Sequence, residues 1–279
     1  MSTNITTSDL FMLCHSTTSD ELENYSDNKK YQANYKYDGE RVMVAIENDK
    51  IIMFNRRGNI INRKFKDVEK ELRQIDFRCI LDGEIISEDD DFNKLQKRAL
   101  SQNKAVIEYV TKNIKVNYMI FDVISFEGKD VRSYTLKERL KMVAKVFENK
   151  NFDILKKVEY YNVQDIYDLA KNENREGIVI KDLEGTYQSS KRSRNWLKLK
   201  FFKEGELDLT TYTDNPKGIR GEDSNGNAIQ ISGRQSQEVK DILDNKGSCR
   251  VYIQYLSQSP TTKRYRFPSY RGLVNGNDN

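Results

Sequence analysis

Short runs of β-branched and aromatic residues, broken by turn residues and interleaved with a few helical stretches, run the length of this chain. That pattern limits it to mixed architectures built largely on antiparallel sheets. Arg41 to Ile46 and Lys50 to Asn55 read as a hairpin across Glu47-Asn48-Asp49, and Tyr31 to Lys36 leads into it through the turn signal Asp38-Gly39. Cys79 to Ile86, Tyr118 to Ser125, Gly177 to Asp182 and Asn195 to Lys200 read as further strands, mostly apolar and therefore mostly buried. Helical periodicity marks Lys64 to Gln74, Asp91 to Leu100, Thr135 to Phe147 and Val163 to Lys171. Thr135 and Glu138 have capping-box spacing. The acidic run Glu88 to Asp91 suits a helix N-terminus better than a metal site.

The pattern changes after Lys203. Beyond it the chain is rich in Gly, Ser and Asn, with strand-like stretches at Leu207 to Thr213, Ala228 to Ser232, Cys249 to Ser257 and Lys263 to Phe267. One helical patch, Gln235 to Asp244, lies among them. Such a tail suits a small closed barrel of the OB type. With 279 residues there is length for two cores, so two domains are expected, residues 1–203 and 204–279.

Charge and cysteine usage narrow the setting. Charged residues make up 32% of the chain and the formal charge is +4, which is compatible with a polyanionic partner. The three cysteines, Cys14, Cys79 and Cys249, are far apart, which argues against a disulfide framework or zinc site and for a reducing compartment. No stretch approaches the roughly 20 apolar residues of a membrane span, and the start lacks the basic and apolar regions of a secretory signal. A cytoplasmic protein is expected, or one in host cytoplasm if the source is a virus or phage. The single histidine, His15, is expected at the surface.

Chemistry concentrates in six segments: Lys36-Tyr37-Asp38-Gly39-Glu40-Arg41, Asn55-Arg56-Arg57-Gly58, Asp82-Gly83-Glu84, Phe121-Asp122, Glu176-Gly177-Ile178-Val179-Ile180-Lys181 and Trp196-Leu197-Lys198-Leu199-Lys200. Lys36 sits at a strand end, where partial burial and nearby positive charge are expected to free its proton cheaply and leave a nucleophilic amine. Strand alternation puts Trp196, Lys198 and Lys200 on one face, and two ammonium groups there suit a bound phosphate. Asp82 and Glu84 share a strand face, and Glu176 precedes another strand. Carboxylates so placed bind hydroxyls, basic side chains or a cation such as Mg²⁺ that keeps its waters.

In this order and spacing the six segments resemble the motifs of the covalent nucleotidyltransferases, specifically the ATP-dependent DNA ligases. K-x-D-G-x-R is met in full by Lys36 to Arg41. S-R-x-G is met except at Asn55, and D-G-E, Phe-Asp, E-G-I-V-I-K and W-L-K-x-K are met by the remaining four. The resemblance is strong from about Leu10 to Lys200 and loose beyond. It implies an α+β fold: a nucleotidyltransferase domain of ATP-grasp-like antiparallel sheets with helices, followed by a small all-β OB-fold barrel.

The resemblance also implies roles. Lys36 would attack the α-phosphate of ATP to give a lysyl-AMP, with Asp38, Lys198 and Lys200 also catalytic and the two last neutralising that phosphate. Arg41 and Arg56 would contact ribose or a DNA 5′-phosphate, Glu84 the ribose hydroxyl, and Phe121 would stack on adenine. Ile178 and Lys181 would complete the nucleotide site. Glu176, with Glu84, would bind Mg²⁺, with Mn²⁺ as a substitute. The AMP would pass to a 5′-phosphate in nicked duplex DNA, the expected partner of a monomeric enzyme with no membrane association, and a 3′-hydroxyl would then seal the strand.

Departures accompany the matches. Asn34 stands two before the lysine, where many relatives are acidic. In the Arg266 to Leu273 segment, Val274 takes the place of a usual arginine, for which Arg271 or Arg264 is a candidate substitute. The layout resembles the short ligases of viruses, phages and some bacteria, and Lys217, Arg220, Arg234, Lys263 and Arg264 are the expected DNA clamp. An mRNA capping guanylyltransferase shares several motifs, but its counterpart of the Trp196 to Lys200 segment tends to end in lysine-proline, unlike Leu199-Lys200-Phe201. An RNA-joining ligase and a non-catalytic nucleic-acid-binding relative are the remaining rivals to DNA sealing.

Overall fold

The computed structural model describes residues 11–48, 50–259 and 262–274. They form two compact units, one ending at Leu199 and the other beginning at Lys200. The first contains β1 (Leu13–Ser16), β2 (Tyr31–Tyr35), β3 (Glu40–Glu47), β4 (Lys50–Asn55), α1 (Lys66–Leu72), β5 (Cys79–Ser87), α2 (Phe92–Leu100) and α3 (Lys104–Asn113). It continues with β6 (Val116–Phe126), β7 (Lys129–Asp130), α4 (Leu136–Phe147), β8 (Leu155–Lys157), α5 (Val163–Asn172), β9 (Gly177–Asp182) and β10 (Arg192–Lys200).

Two sheets organise this unit. One has the order β4-β3-β5-β6-β7, with β8 alongside β6, and the other the order β1-β10-β9-β2. Apolar residues of β3 to β6, including Val42, Val44, Leu81, Tyr118 and Ile120, pack with Val68 and Leu72 of α1 and Val143 and Val146 of α4. Each such side chain contributes about 1.5–3 kcal/mol by leaving water. A second cluster holds Met43 and Phe54 from the first sheet, Phe121 and Ile124 from β6, and Trp196 from the other sheet. This inner layer carries the candidate chemistry.

Local signals account for most boundaries. Thr135 and Glu138 form the expected capping box of α4. In the acidic run, the Asp91 side chain accepts from the backbone N–H groups of Asn93 and Lys94 and so caps α2. Sequence propensity does not mark α3, because Val106, Ile107, Val110 and Thr111 are β-branched, although Ile107 and Val110 are buried at helical spacing. The Asn103 side chain supplies its start, accepting from Ala105 and Val106. His15, expected at the surface, is half-buried in β1, which runs parallel to β10.

The second unit contains β11 (Lys203–Leu209), β12 (Thr211–Asn215), β13 (Gly218–Glu222), β14 (Ala228–Ser232), α6 (Arg234–Lys246), β15 (Cys249–Tyr255), β16 (Ser257–Gln258), β17 (Tyr265–Arg266) and β18 (Ser269–Leu273). The sheets β11-β15-β18 and β12-β13-β14 close over one core with α6, built on Leu209, Ile219, Ile231, Val239 and Val251. Among the described residues no helix is long and apolar enough to cross a membrane.

Candidate active site

The ladder between β2 and β9 builds the centre. Tyr35 pairs with Ile178, and one step on the Lys36 backbone N–H donates to the Gly177 carbonyl at 2.8 Å. This brings Glu176 beside Lys36, whose Nζ donates to Glu176 Oε2 at 2.7 Å. Gly177 has φ +150°, a conformation that L side chains rarely adopt, so a glycine belongs between the carboxylate and its strand. Burial works against the charge on Lys36, but Glu176 and then Glu84 outweigh it and hold its pKa above the ordinary lysine range. The expectation of a cheaply lost proton is therefore corrected. The charges facing this amine are carboxylates, and they keep it an ammonium.

Glu84 approaches from the other sheet. Arg41 pairs with Glu84, and Met43 with Asp82, along β3 and β5. Burial pushes the Glu84 carboxyl up to about 8, against the pull of Lys36 and Arg41. A Cβ on the intervening Gly83 would lie 2.5 Å from the Tyr118 ring, so this strand tolerates no side chain there. Asp38 is half-buried and adds to the negative field on Lys36. Among the described residues no group of three or more His, Cys, Asp or Glu gathers as a metal site.

Alternation along β9 sorts its residues. Val179 packs with the inner layer. Lys181, on the same face, has its Nζ 4.1 Å from the Trp196 ring centroid and 4.4 Å from that of Phe121. Ile178 points to the opposite face and is fully buried. Its expected place in the nucleotide site is corrected, since the period of two gives the inner face to Val179. Lys181 is also fully buried, donates to the Tyr160 hydroxyl at 2.8 Å, and is pushed by burial to a pKa of about 7.

Asn34, opposite Val179, shares this inner face. Its Nδ2 donates to the Tyr35 carbonyl at 2.6 Å, which fixes the amide, and its buried Oδ1 has no hydrogen-bond partner. A buried acceptor left unmet is costly, so it suits a ligand that brings a donor.

Arg41 and Phe121 lie deeper than expected. Arg41 donates to both oxygens of Asp82 (Nε at 3.0 Å, Nη2 at 2.6 Å) and from Nη1 to the Met12 carbonyl at 2.7 Å. Each guanidinium nitrogen thus has a protein acceptor, which fixes the side chain in place with N–H donors to spare. Tyr187 joins this network by donating to Asp82 at 2.7 Å. Phe121 is 8% exposed and edge-on to Trp196, with ring centroids 5.7 Å apart. Asp122 is wholly buried with Arg139 of α4, which donates to it at 2.7 and 2.9 Å.

Arg56 is exposed in the turn after β4. Asn55, the departure from the S-R-x-G pattern, holds that turn: its Oδ1 accepts from the Arg57 and Asn59 backbone N–H groups, both at 3.1 Å. The departure keeps the side-chain oxygen the turn requires. Lys198 and Lys200 are half-buried on the Trp196 face of β10, which is an inner strand of its sheet.

Several participants carry no motif. Arg175, just before Glu176, donates to Asp90 at 2.5 Å and to Glu173 at 2.8 Å, and its guanidinium lies 4.8 Å from the Tyr35 ring centroid. This ties the loop before α2 to the loop carrying Glu176. Arg139 had a readable signal, since it shares the buried stripe of α4 with Leu136, Val143 and Val146. Tyr160 and Tyr187 had none. In the second unit Lys217, Arg220, Arg234, Lys263, Arg264 and Arg271 are all exposed, and Arg271 bonds to Gln254.

Comparison with known proteins identifies the family. A family model for the ATP dependent DNA ligase domain matches residues 11–200. A DNA ligase of Nitrosopumilus maritimus (strain SCM1) is 29% identical over 189 residues, covering 64% of this chain and 32% of its own length. The SPbeta prophage-derived DNA ligase-like protein LigB of Bacillus subtilis (strain 168) is 30% identical over 209 residues, covering 72% of this chain and 71% of its own length. The chain thus spans about a third of some curated relatives and most of another. A solved structure from a structure-function analysis of Lig E DNA ligases, described as DNA binding with a minimal scaffold, superimposes with a TM-score of 0.67. It is 15% identical, with 95% of this chain and 99% of that one covered. The fold is that of a nucleotidyltransferase domain followed by an OB-fold, and the chain belongs to the ATP-dependent DNA ligase domain family.

Proposed function

We propose that this protein seals nicks in duplex DNA, using ATP to load AMP onto Lys36. The observation that carries this reading is the Lys36–Glu176 pair at 2.7 Å, an amine at a strand end held in a mostly buried field of carboxylates. Before attack the ammonium must shed a proton, and Glu176 is the acceptor in place. Nζ then bonds to the α-phosphorus, the bond to the bridging oxygen breaks, and pyrophosphate leaves with the electron pair. Lys198 and Lys200 face the layer where that charge develops.

The residues fit the small partners. Glu176 and Glu84 offer hard oxygen donors beside Lys36, which suits a divalent cation that takes its other ligands from phosphates and water. Such a cation, Mg²⁺ or Mn²⁺, would neutralise the triphosphate. The unmet Asn34 Oδ1 suits the exocyclic amino group of adenine, whereas guanine presents an acceptor at the corresponding position. Asn34 thus favours ATP over GTP and ligation over cap formation.

Transfer follows the same logic. An oxygen of the nick 5′-phosphate displaces Nζ from the adenylate, and Lys36 regains a proton as it leaves. The 3′-hydroxyl then attacks the adenylated phosphate and expels AMP. Arg56, exposed at its turn, is the proposed contact to the DNA 5′-phosphate.

The test uses α-labelled ATP or GTP with Mg²⁺, followed by denaturation. Label from ATP that stays on the protein and is lost in Lys36→Ala, together with sealing of a nicked duplex, is the expected result. Label from GTP alone, or none from either, would overturn the proposal.

A further inference from the structure

A cleft of about 350 Å³ lies away from the Lys36 layer, between α3 and the segment leading into α1. Arg63, Lys66, Lys104 and Lys112 rim it, and Ile107, Glu108 and Thr111 complete its walls. Some exposed cations of this unit are paired, Arg73 with Glu69, Lys94 with Asp89 and Lys150 with Asp76. Among the described residues these four cations of the rim have no ion-pair partner. Arg63 spends one nitrogen on the Gln102 carbonyl at 2.9 Å, and Glu108 is the one acid in the lining. The fold therefore gathers four like charges around a concavity with a single acid among them.

The cleft also terminates a basic strip. From Arg56 to Lys66 the chain carries Arg56, Arg57, Arg63, Lys64 and Lys66 and no acid. The strip starts at the exposed turn proposed to meet the nick and passes the bridge between Phe54 and Ile60. Lys64 is turned inward, donating to the Ala99 carbonyl, while Arg63 and Lys66 stay exposed at the cleft. A strip with cations at both ends, Arg56 and Arg57 at the turn and Arg63 with Lys66 at the cleft, matches a phosphate backbone. A compact anion would not use its length.

We propose that this cleft binds the sugar-phosphate backbone of duplex DNA away from the nick, as a second anchoring site on the first unit. The identity of the polyanion rests on the nick-sealing reading; the cationic site itself rests on the cleft. Neutralising a set of phosphate contacts releases counterions, so the slope of log affinity against log salt records how many phosphates are held.

The test is fluorescence anisotropy of a nicked duplex across a salt series. It compares the unaltered protein, the variant Arg63→Ala/Lys66→Ala/Lys104→Ala/Lys112→Ala, and a control with Lys137, Lys141 and Lys145 of α4 changed to alanine. All seven are exposed, so folding is spared. The cleft variant is expected to lose about 3 to 4 from the salt slope and at least tenfold in affinity at low salt. The α4 control is expected to lose much less, and labelling of Lys36 by ATP should be unchanged in both. An unaltered slope in the cleft variant, with the unaltered protein binding and sealing normally, overturns this inference alone. Failure of the unaltered protein to bind or seal DNA overturns it together with the nick-sealing reading. Loss of ATP labelling with DNA binding intact would assign the cleft to nucleotide and overturn it as well.

Discussion

Lys36 and Lys181 sit at opposite ends of one antiparallel ladder, both largely withdrawn from water, yet their surroundings demand opposite charge states. Lys36 faces Glu176 at 2.7 Å and further carboxylates, and is held charged. Lys181 faces the rings of Trp196, Phe121 and Tyr160 and one hydroxyl, and its pKa falls to about 7. Burial disfavours the charge of both, and the partners decide the outcome. The easily deprotonated lysine of this fold is thus the one in the aromatic cage. The lysine proposed as nucleophile is instead held in register by its counter-charge until substrate arrives.

The sharpest way to break this contrast is Lys36→Arg. Arginine keeps a cation opposite Glu176 but supplies no usable nucleophile, so covalent labelling should fall to background while unfolding stability shifts by less than about 1 kcal/mol. Retained labelling would move the nucleophile elsewhere, with Lys181 the next candidate. A third buried cation calibrates the comparison. Arg139→Met leaves the Asp122 carboxylate buried without its partner, and should cost about 3–5 kcal/mol in denaturant unfolding. A loss under about 1 kcal/mol would mean that Asp122 finds water or another donor.

Lys181→Met isolates the caged amine. The folded-state pKa, about 7, lies below the ordinary lysine value, so between about pH 7 and 10 the unfolded chain binds the extra proton. Stability contributed by Lys181 therefore rises with pH through that window, by up to about 1.4 kcal/mol per pH unit. The penalty of charging it is fully present below pH 7. The Met variant should lack this slope and gain most on the unaltered protein at pH 6; parallel stability curves would contradict the depressed pKa. The smallest effect belongs to Asn34→Leu. Losing one acceptor should reduce the preference for ATP over GTP by about tenfold, read from the ratio of labelling rates. An unchanged ratio would place base selection elsewhere.

Much of this arrangement is legible in the chain. The hairpin of β3 and β4, the capping box at Thr135 and the two-faced β10 follow from local chemistry that acts within a few residues. The positions of Lys36, Glu84, Glu176 and Lys198 follow from motif order. What escapes is set by contacts distant in sequence. The charge on Lys36 depends on Glu176, 140 residues away. Nothing local reveals that Met12 and Asp82 anchor Arg41. Ile178 is an error of a different kind, since alternation along β9 already separates it from Lys181. Helix α3 hides behind β-branched residues whose tertiary contacts override their propensity.

Mapping the site of covalent modification after incubation with ATP and Mg²⁺ tests the central claim most directly. Peptide mass analysis of the denatured protein should place a single adenylate on Lys36, removed by pyrophosphate and discharged by nicked duplex DNA. An adenylate on Lys181 or any other lysine, or a stable adduct that nicked DNA fails to discharge, would contradict it.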